Sequence, residues 1–242
     1  MDRTVVGVGN DYPPAYELAF HTHKRGQLLH AMTGVMAVST PEGAWVTPPE
    51  QAVWIPAGMP HAVRMIGPVS TRCVMIAGEI AHGMGPRCCV VGVSRLLDAL
   101  LEEAVVLPVE YDEAGRDGLV MRLVVEEVRR APVIPLAVPF PRSEALARRC
   151  HAFIAAPDVK SGIDEWADAL GLNRRSFTRH FRRETGMSFA EWRQQACLAA
   201  ALPRIAAGEA ITSVALDLGY DSPASFSTMF RRVLGSAPSR YR

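Results

Sequence analysis

The last hundred residues carry one short pattern twice, the copies about 49 positions apart. The first reads Ala167-Asp168-Ala169-Leu170-Gly171, then Ser176-Phe177-Thr178-Arg179-His180-Phe181-Arg182-Arg183, closing at Gly186. The second reads Ala215-Leu216-Asp217-Leu218-Gly219, then Ser225-Phe226-Ser227-Thr228-Met229-Phe230-Arg231-Arg232, closing at Gly235. Each copy predicts a helix, a glycine-bearing turn and a second helix, the arrangement of a helix-turn-helix unit. Two such units in tandem constrain the chain strongly. They predict a helical domain able to lay two helices in successive major-groove segments on one face of DNA.

In the first unit Asn173 is a good N-cap, and the second helix runs from Arg174 to about Glu184. Phe177 and Phe181, spaced i, i+4, should enter the core beside Trp166 and Leu170. The opposite face then carries Arg175, Thr178, Arg179 and Arg182, with Arg174 just ahead of them. Arginine and hydroxyl side chains suit base edges and phosphates in a major groove. In the second unit Ser222 caps the helix and Pro223 occupies its first turn, where a missing N–H costs nothing. Phe226 and Phe230 face inward, and Ala224, Ser225, Ser227, Thr228 and Arg231 form the outward set. This face carries less charge, so weaker base discrimination is expected of it, with Ala224 meeting a thymine methyl. The plainer reading is a solvated face of a helical bundle, which a duplicated pattern with its aromatic pairs in register disfavours.

Charge separates along the chain in the same sense. Residues 142–242 hold 15 Lys and Arg against 10 Asp and Glu, whereas residues 1–141 hold 11 against 15. The positive field therefore sits on the repeat, as phosphate binding requires. Fourteen of those fifteen cations are arginine, which favours bidentate contacts to phosphate or guanine.

Residues 163–242 resemble the DNA-binding domain of the AraC/XylS family of bacterial transcription regulators. The run from Ile211-Thr212-Ser213-Val214 through Gly219-Tyr220-Asp221-Ser222-Pro223-Ala224-Ser225-Phe226 and Phe230-Arg231-Arg232, on to Gly235-Ser236-Ala237-Pro238-Ser239-Arg240-Tyr241-Arg242, is similar to that family's signature nearly residue for residue. The resemblance implies a long helix joining the two units and spacing them by one DNA turn, roughly 34 Å. Two departures fall in that helix, expected at Ala190–Ala207. Cys197-Leu198 replaces the usual Arg-Leu, removing a polar or phosphate contact, and Pro203 deletes one hydrogen bond and should bend the axis.

The 242 residues, 49% hydrophobic, are enough for two modest domains. No run of about 18 apolar residues spans a membrane, and Met1-Asp2-Arg3-Thr4 does not begin a signal-peptide pattern. The five cysteines form no CxxC pair and no even framework, so reduced thiols and a cytoplasmic location are expected.

From about residue 15 to 90 short apolar runs (Gln27–Met32, Val35–Val38, Ala52–Ile55, Arg72–Ile76) alternate with Gly, Pro and Thr turns, predicting a small barrel or sandwich. Ser94–Ala104 predicts a helix capped by Ser94 with Leu96, Leu97, Leu100 and Leu101 on its stripe. Gly118–Arg130 predicts another, with Leu119, Leu123, Val124 and Val128 on its apolar side. Such helices either cover the open face of the β domain or form a dimer seam. Residues 131–141 contain four prolines and read as an extended linker. The expected organisation is an effector-binding and dimerisation domain at 1–131, a linker at 132–141 and a DNA-binding domain at 142–242.

Within the β region, His21-Thr22-His23 places two imidazoles on one strand face, because strand side chains alternate. Gln27 and Gly34 follow, and later comes Pro56-Ala57-Gly58-Met59-Pro60-His61. These segments resemble the two motifs of the cupin barrel, with Gln27 where a glutamate is usual. The match extends to the effector-binding barrel of part of the AraC family, in a branch with the nitroimidazole-resistance regulator. The resemblance implies that His21, His23, Gln27 and His61 converge on one metal ion. Three neutral imidazoles suit Zn²⁺, Ni²⁺, Cu²⁺ or Fe²⁺, and an amide in place of a carboxylate weakens binding. The plainer reading is a metal-free pocket of hydrogen-bonded histidines. Trp45 and Trp54 read as core rather than a ligand cage, and Cys88-Cys89 as buried small residues.

The expected fold is a cupin-like β-barrel with a helical dimerisation segment, followed by an all-α domain of two helix-turn-helix units. The expected function is regulation of transcription, with a small molecule or metal in the barrel modulating the binding of double-stranded promoter DNA by a homodimer. The alternative is a cupin metalloenzyme fused to a DNA-binding domain, which lacks a recognisable acid–base pair beside the motif.

Overall fold

The computed structural model describes residues 3–134 and 136–241, so Met1, Asp2, the linker residue Pro135 and the closing Arg242 lie outside the described residues. The chain divides into two compact units, residues 1–40 with 45–134, and residues 41–44 with 135–242.

The first unit contains strands β1 (Val5–Tyr12), β2 (Glu17–His21), β3 (Gly26–Thr40), β4 (Gly43–Thr47, from residue 45 on), β5 (Gln51–Ile55) and β6 (His61–Ile76). The short helix α1 (Gly78–His82) and strand β7 (Cys89–Gly92) come next, then helices α2 (Arg95–Val106) and α3 (Arg116–Arg130) and strand β8 (Val133–Ile134). The antiparallel sheet runs β1-β6-β3-β5-β7-β8, with β2 also on β6. Its spine is β6, which takes β1 along residues 69–76 and β2 along residues 61–64, with β3 on its other side. The β region therefore begins ten residues earlier than the sequence suggests. Gly7 of β1 is where α2 packs closest; a Cβ there would lie 2.1 Å from the Ala104 carbonyl oxygen.

Alternation along β3 divides the sheet into two faces. Gln27 and Leu29 line an inner cavity, while Leu28 joins the opposite face with Trp54, Val74 and Ile76. On that face Leu97, Leu100, Leu101 and Ala104 of α2 and Met121, Val124, Val125 and Val128 of α3 are buried. Ser94 caps α2, accepting from the Leu97 N–H at 3.0 Å. His30, buried on β3, reaches α2: its Nδ1 lies 2.8 Å from the Gln51 carbonyl and its Nε2 3.1 Å from an Asp98 carboxylate oxygen. Thus α2 covers the sheet and α3 packs against α2, both with narrower stripes than expected. Leu96, Leu119 and Leu123 are exposed, because at 100° per residue they lie one row off the buried arc. Trp45 and Trp54 are core residues, and Cys88 is buried beside half-buried Cys89.

The proline-rich stretch is not wholly linker. Val133 and Ile134 pair with Val91 and Val90 of β7, extending the sheet past residue 131. Prolines on either side leave just two β-branched residues free to complete an edge ladder.

The second unit contains β9 (Ala137–Pro139), α4 (Glu144–Ala155), α5 (Ile163–Ala169), α6 (Arg174–Thr185), α7 (Phe189–Ala206), α8 (Ile211–Asp217), α9 (Pro223–Leu234) and a closing 3₁₀ turn at Pro238–Tyr241. Its first half packs around Trp166, Phe177, Phe181, Phe189 and Trp192, with the Trp166 and Phe189 ring centroids 4.8 Å apart. Its second half repeats the plan around Val214, Ala215, Phe226 and Phe230, none of them accessible. Between them α7 starts with a capping box at Ser188 and Glu191 and continues through Pro203 to Ala206, so the proline does not end it. Cys197 and Leu198 are fully buried in α7. The departure from the family pattern therefore alters the core and not a DNA-facing position.

Candidate functional site

The outward face of α6 forms as the spacing predicts. The Asn173 side chain accepts from the Ser176 N–H at 2.9 Å, and Gly186 ends the helix in the left-handed conformation. With Phe177 and Phe181 inaccessible, Arg174, Arg175, Thr178, Arg179 and Arg182 are all exposed. Arg174 pairs with Asp164 of α5 at 3.3 Å, and the Thr178 hydroxyl donates to the Arg174 carbonyl at 2.8 Å, keeping its lone pairs for an outside donor. Arg175, Arg179 and Arg182 have no such ion pair among the described residues, leaving their guanidinium groups presented to solvent.

On α9, Ser222 caps the helix through the Ser225 N–H at 3.1 Å. Ala224, Thr228 and Arg231 are exposed and Ser227 is half-buried. Ser225 is exposed, but its hydroxyl donates back to the Ser222 carbonyl at 2.7 Å and so serves the cap first. Arg183 escapes the sequence reading: it is exposed beside the α6 face, with its guanidinium 2.9 Å from His180 Nδ1. Its position one residue past Arg182 was the available signal.

The second constellation lies inside the sheet. His21 ends β2 opposite His61, the first residue of β6. His23 is not on the strand face, since β2 stops at His21; it sits in the following turn, where its carbonyl accepts from the Gly58 N–H at 2.8 Å. The Pro-Ala-Gly segment thus holds the His23 turn against His61. The ligating nitrogens of His21, His23 and His61 all lie within 4.8 Å of one another. His21 Nδ1 donates to the Ala19 carbonyl at 2.7 Å and His61 Nδ1 to the Met59 carbonyl at 2.9 Å. A carbonyl only accepts, so each bond fixes the tautomer that leaves a lone pair on Nε2.

His61 Nε2 is buried with no partner among the described residues, a condition a bound cation would relieve. Burial first, then His21 beside it, holds His23 below its ordinary pKa. Burial likewise lowers His61, keeping the ligating neutral form available. Gln27 opens onto the same cavity, its Nε2 donating to Cys73 Sγ at 3.2 Å and its Oε1 buried with no partner among the described residues. The donor set fits a divalent transition metal held by three imidazoles. The cavity holds about 220 Å³; apolar and sulfur side chains such as Val63, Met65 and Met75 wall it together with Asn10, Tyr12 and Thr71.

Among solved structures, ToxT from Vibrio cholerae O395 aligns over 98% of this chain and 96% of its own, with 13% identity and a TM-score of 0.39. The HTH-type transcriptional regulator NimR of Escherichia coli (strain K12) is 28% identical over 221 residues, 91% of this chain and 81% of that protein. The regulatory protein SoxS of Salmonella typhimurium (strain LT2) is 36% identical over 86 residues, 35% of this chain and 80% of that protein. Residues 166–242 match the family described as Helix-turn-helix domain, and residues 8–115 the family described as AraC-like ligand binding domain. With the two family matches and the relatives NimR and SoxS added to the duplicated units and the antiparallel sheet, the chain belongs to the AraC family of helix-turn-helix transcription regulators, with a cupin-like ligand-binding domain preceding its DNA-binding domain.

Proposed function

We propose that α6 and α9 read promoter DNA through Arg174, Arg175, Thr178, Arg179 and Arg182 on one and Ala224, Ser225, Ser227, Thr228 and Arg231 on the other. The observation that carries this assignment is the repeat of one design: a phenylalanine pair locked inward at i, i+4, with polar side chains exposed on the far side of each helix. The α9 set has one cation, Arg231, where the α6 set has four, so α6 is the main source of base discrimination.

The barrel takes the effector. His21, His23 and His61 would hold Zn²⁺, Ni²⁺, Cu²⁺ or Fe²⁺, with Gln27 Oε1 as a weaker fourth donor. Such an ion supplies a Lewis-acid anchor for an oxygen or nitrogen of a small molecule. A cavity of about 220 Å³ favours a compact effector, below the size of drug-like ligands. Binding there acts on transcription only if the effector's affinity differs between the DNA-competent and DNA-incompetent states, whose populations it then shifts.

We read the chain as a regulator and not a metalloenzyme. Among the described residues the cavity lining has no carboxylate or lysine, and burial pushes its Cys73 thiol up to about 12. Five free cysteines fit a reducing cytoplasm. No helix among the described residues is long and apolar enough to cross a membrane.

The test couples the two sites. Metal content is measured by plasma mass spectrometry on untagged protein and on a His21→Ala, His61→Ala variant, and both are used to select duplexes from a random library. The expected result is near one equivalent of transition metal in the wild type, little in the variant, and a defined selected sequence. Failure to enrich any sequence would overturn the DNA assignment. Equal metal content in the two proteins would overturn the histidine site.

A further inference from the structure

The two helix-turn-helix units are joined by α7, but a second connection runs between them. The loop between α4 and α5 leaves the first unit and touches the turn of the second. The Val159 N–H donates to the Leu218 carbonyl at 2.9 Å, satisfying an oxygen that the end of α8 leaves without a helical partner. Lys160 Nζ lies 2.9 Å from an Asp221 carboxylate oxygen. The same loop is anchored at its other side. The Trp166 indole N–H donates to Ser161 Oγ at 2.8 Å, and Arg193 of α7 donates to the Ser161 carbonyl.

The turn glycines of the two repeats make the connection visible. Gly171 and Gly219 hold equivalent places, with φ of +66° and +80°. A Cβ added at Gly171 would meet nothing within 4 Å among the described residues. A Cβ added at Gly219 would lie 2.1 Å from Asp158 Oδ1. That oxygen is not loose, because it accepts from the Lys160 N–H at 2.8 Å. The first turn is open and the second is covered by the loop.

We propose that residues 158–161 form a bracket that sets the spacing and angle of α6 and α9, with Asp158, Val159 and Lys160 as positioning residues for two-site DNA recognition. α7 holds the second unit from one side only, through Arg204 with Asp217 and Gln194 with Arg232, and Pro203 removes one of the hydrogen bonds of α7 near its second end. The bracket closes a triangle of first unit, α7 and second unit, and a triangle cannot pivot. Along DNA, a change of one base pair moves the second segment by about 3.4 Å and turns it by about 35°. A rigid pair of helices registers that change, and a pivoting pair absorbs it.

The inference rests on the assignment of α6 and α9 to DNA, and its test separates the two. The probe is the duplex selected by wild-type protein, with versions carrying one base pair inserted or deleted between the footprinted segments. Wild-type protein should lose about tenfold or more in affinity on the altered spacings. Asp158→Ala/Lys160→Ala, Val159→Pro and Gly219→Ala should narrow that loss to about threefold or less, whereas Gly171→Ala should keep it. Asp158 and Lys160 are exposed, so their double substitution remains informative if Val159→Pro does not fold.

In parallel, nitroxides at Asp168→Cys on α5 and Leu216→Cys on α8, in a Cys89→Ser background without DNA, report the distance between the units. The bracket variants should broaden that distribution, and Gly171→Ala should leave it narrow. Unchanged spacing loss and unchanged distance width in the bracket variants would overturn the proposal. Absence of any selected duplex would fault the DNA assignment alone, with the distance measurement still deciding the bracket.

Discussion

Arg179 stands two residues after Phe177 and two before Phe181, so the burial of both rings directs its guanidinium away from the core. If it reads a base, Arg179→Ala should cost about 1–3 kcal/mol on the selected duplex and much less on unrelated DNA. Equal loss on every sequence, measured by fluorescence anisotropy, would move it to the phosphate backbone. Two thiols give a second expectation. Burial pushes Cys150 and Cys197 up to about 12, well above a free thiol. Below the unfolded thiol pKa, near 8.5, both states are protonated and the stability is intact. Between there and about 12 only the unfolded chain ionises, so stability should fall as pH rises. Denaturant midpoints at neutral and at alkaline pH check this, and Cys150→Ala, Cys197→Ala should weaken the dependence.

At this scale the sequence was readable wherever spacing alone decides direction. The phenylalanine pairs and the arginine face follow from helical period, and the histidine set from its motif. His23 was misplaced because strand alternation was extended beyond the end of β2. The His30–Asp98 contact and the Asp158–Gly219 approach join residues far apart in the chain, and no local pattern announces either.

Among the elements, α3 carries an unfinished surface. Leu119 and Leu123, one turn apart, are exposed while the adjoining row of Val124 and Val128 is buried in the core that α3 shares with α2. Packing against its own domain therefore uses only part of this helix, and the remainder is available to a second copy of the chain. Wild-type protein at micromolar concentration should scatter light as a dimer, and Leu119→Glu, Leu123→Glu should scatter as a monomer; a monomeric wild type would remove the dimer from the mechanism. Replacing Pro203 with alanine restores a donor to α7, so the melting temperature should rise. The preferred operator spacing should stay where it was if the loop, and not α7, sets it. The helices were legible because amphipathic period survives in isolation. Strand β1 was not, since Gly7 exists to admit another element's backbone.

For the molecule as a whole, the charge division governs how binding responds to salt. The surplus cations of residues 142–242 are nearly all arginine, and each phosphate neutralised adds about 0.9 to the slope of log affinity against log salt. Arg175→Ala and Arg182→Ala should each lower that slope by about one if they meet phosphates. An unchanged slope across a salt titration would place them away from the backbone. Domain order and charge partition could be read from composition. The internal tie between the repeats could not, because two copies of one pattern suggest two equivalent units. The covered turn at Gly219 makes them unequal. A crossover between residues 160 and 218 would part Val159 from Leu218 and Asp158 from Gly219, so exchange of a single repeat with a related gene would join halves that had never fitted together. Shuffling should succeed when both repeats travel as one block, which makes the heritable unit of this domain the pair.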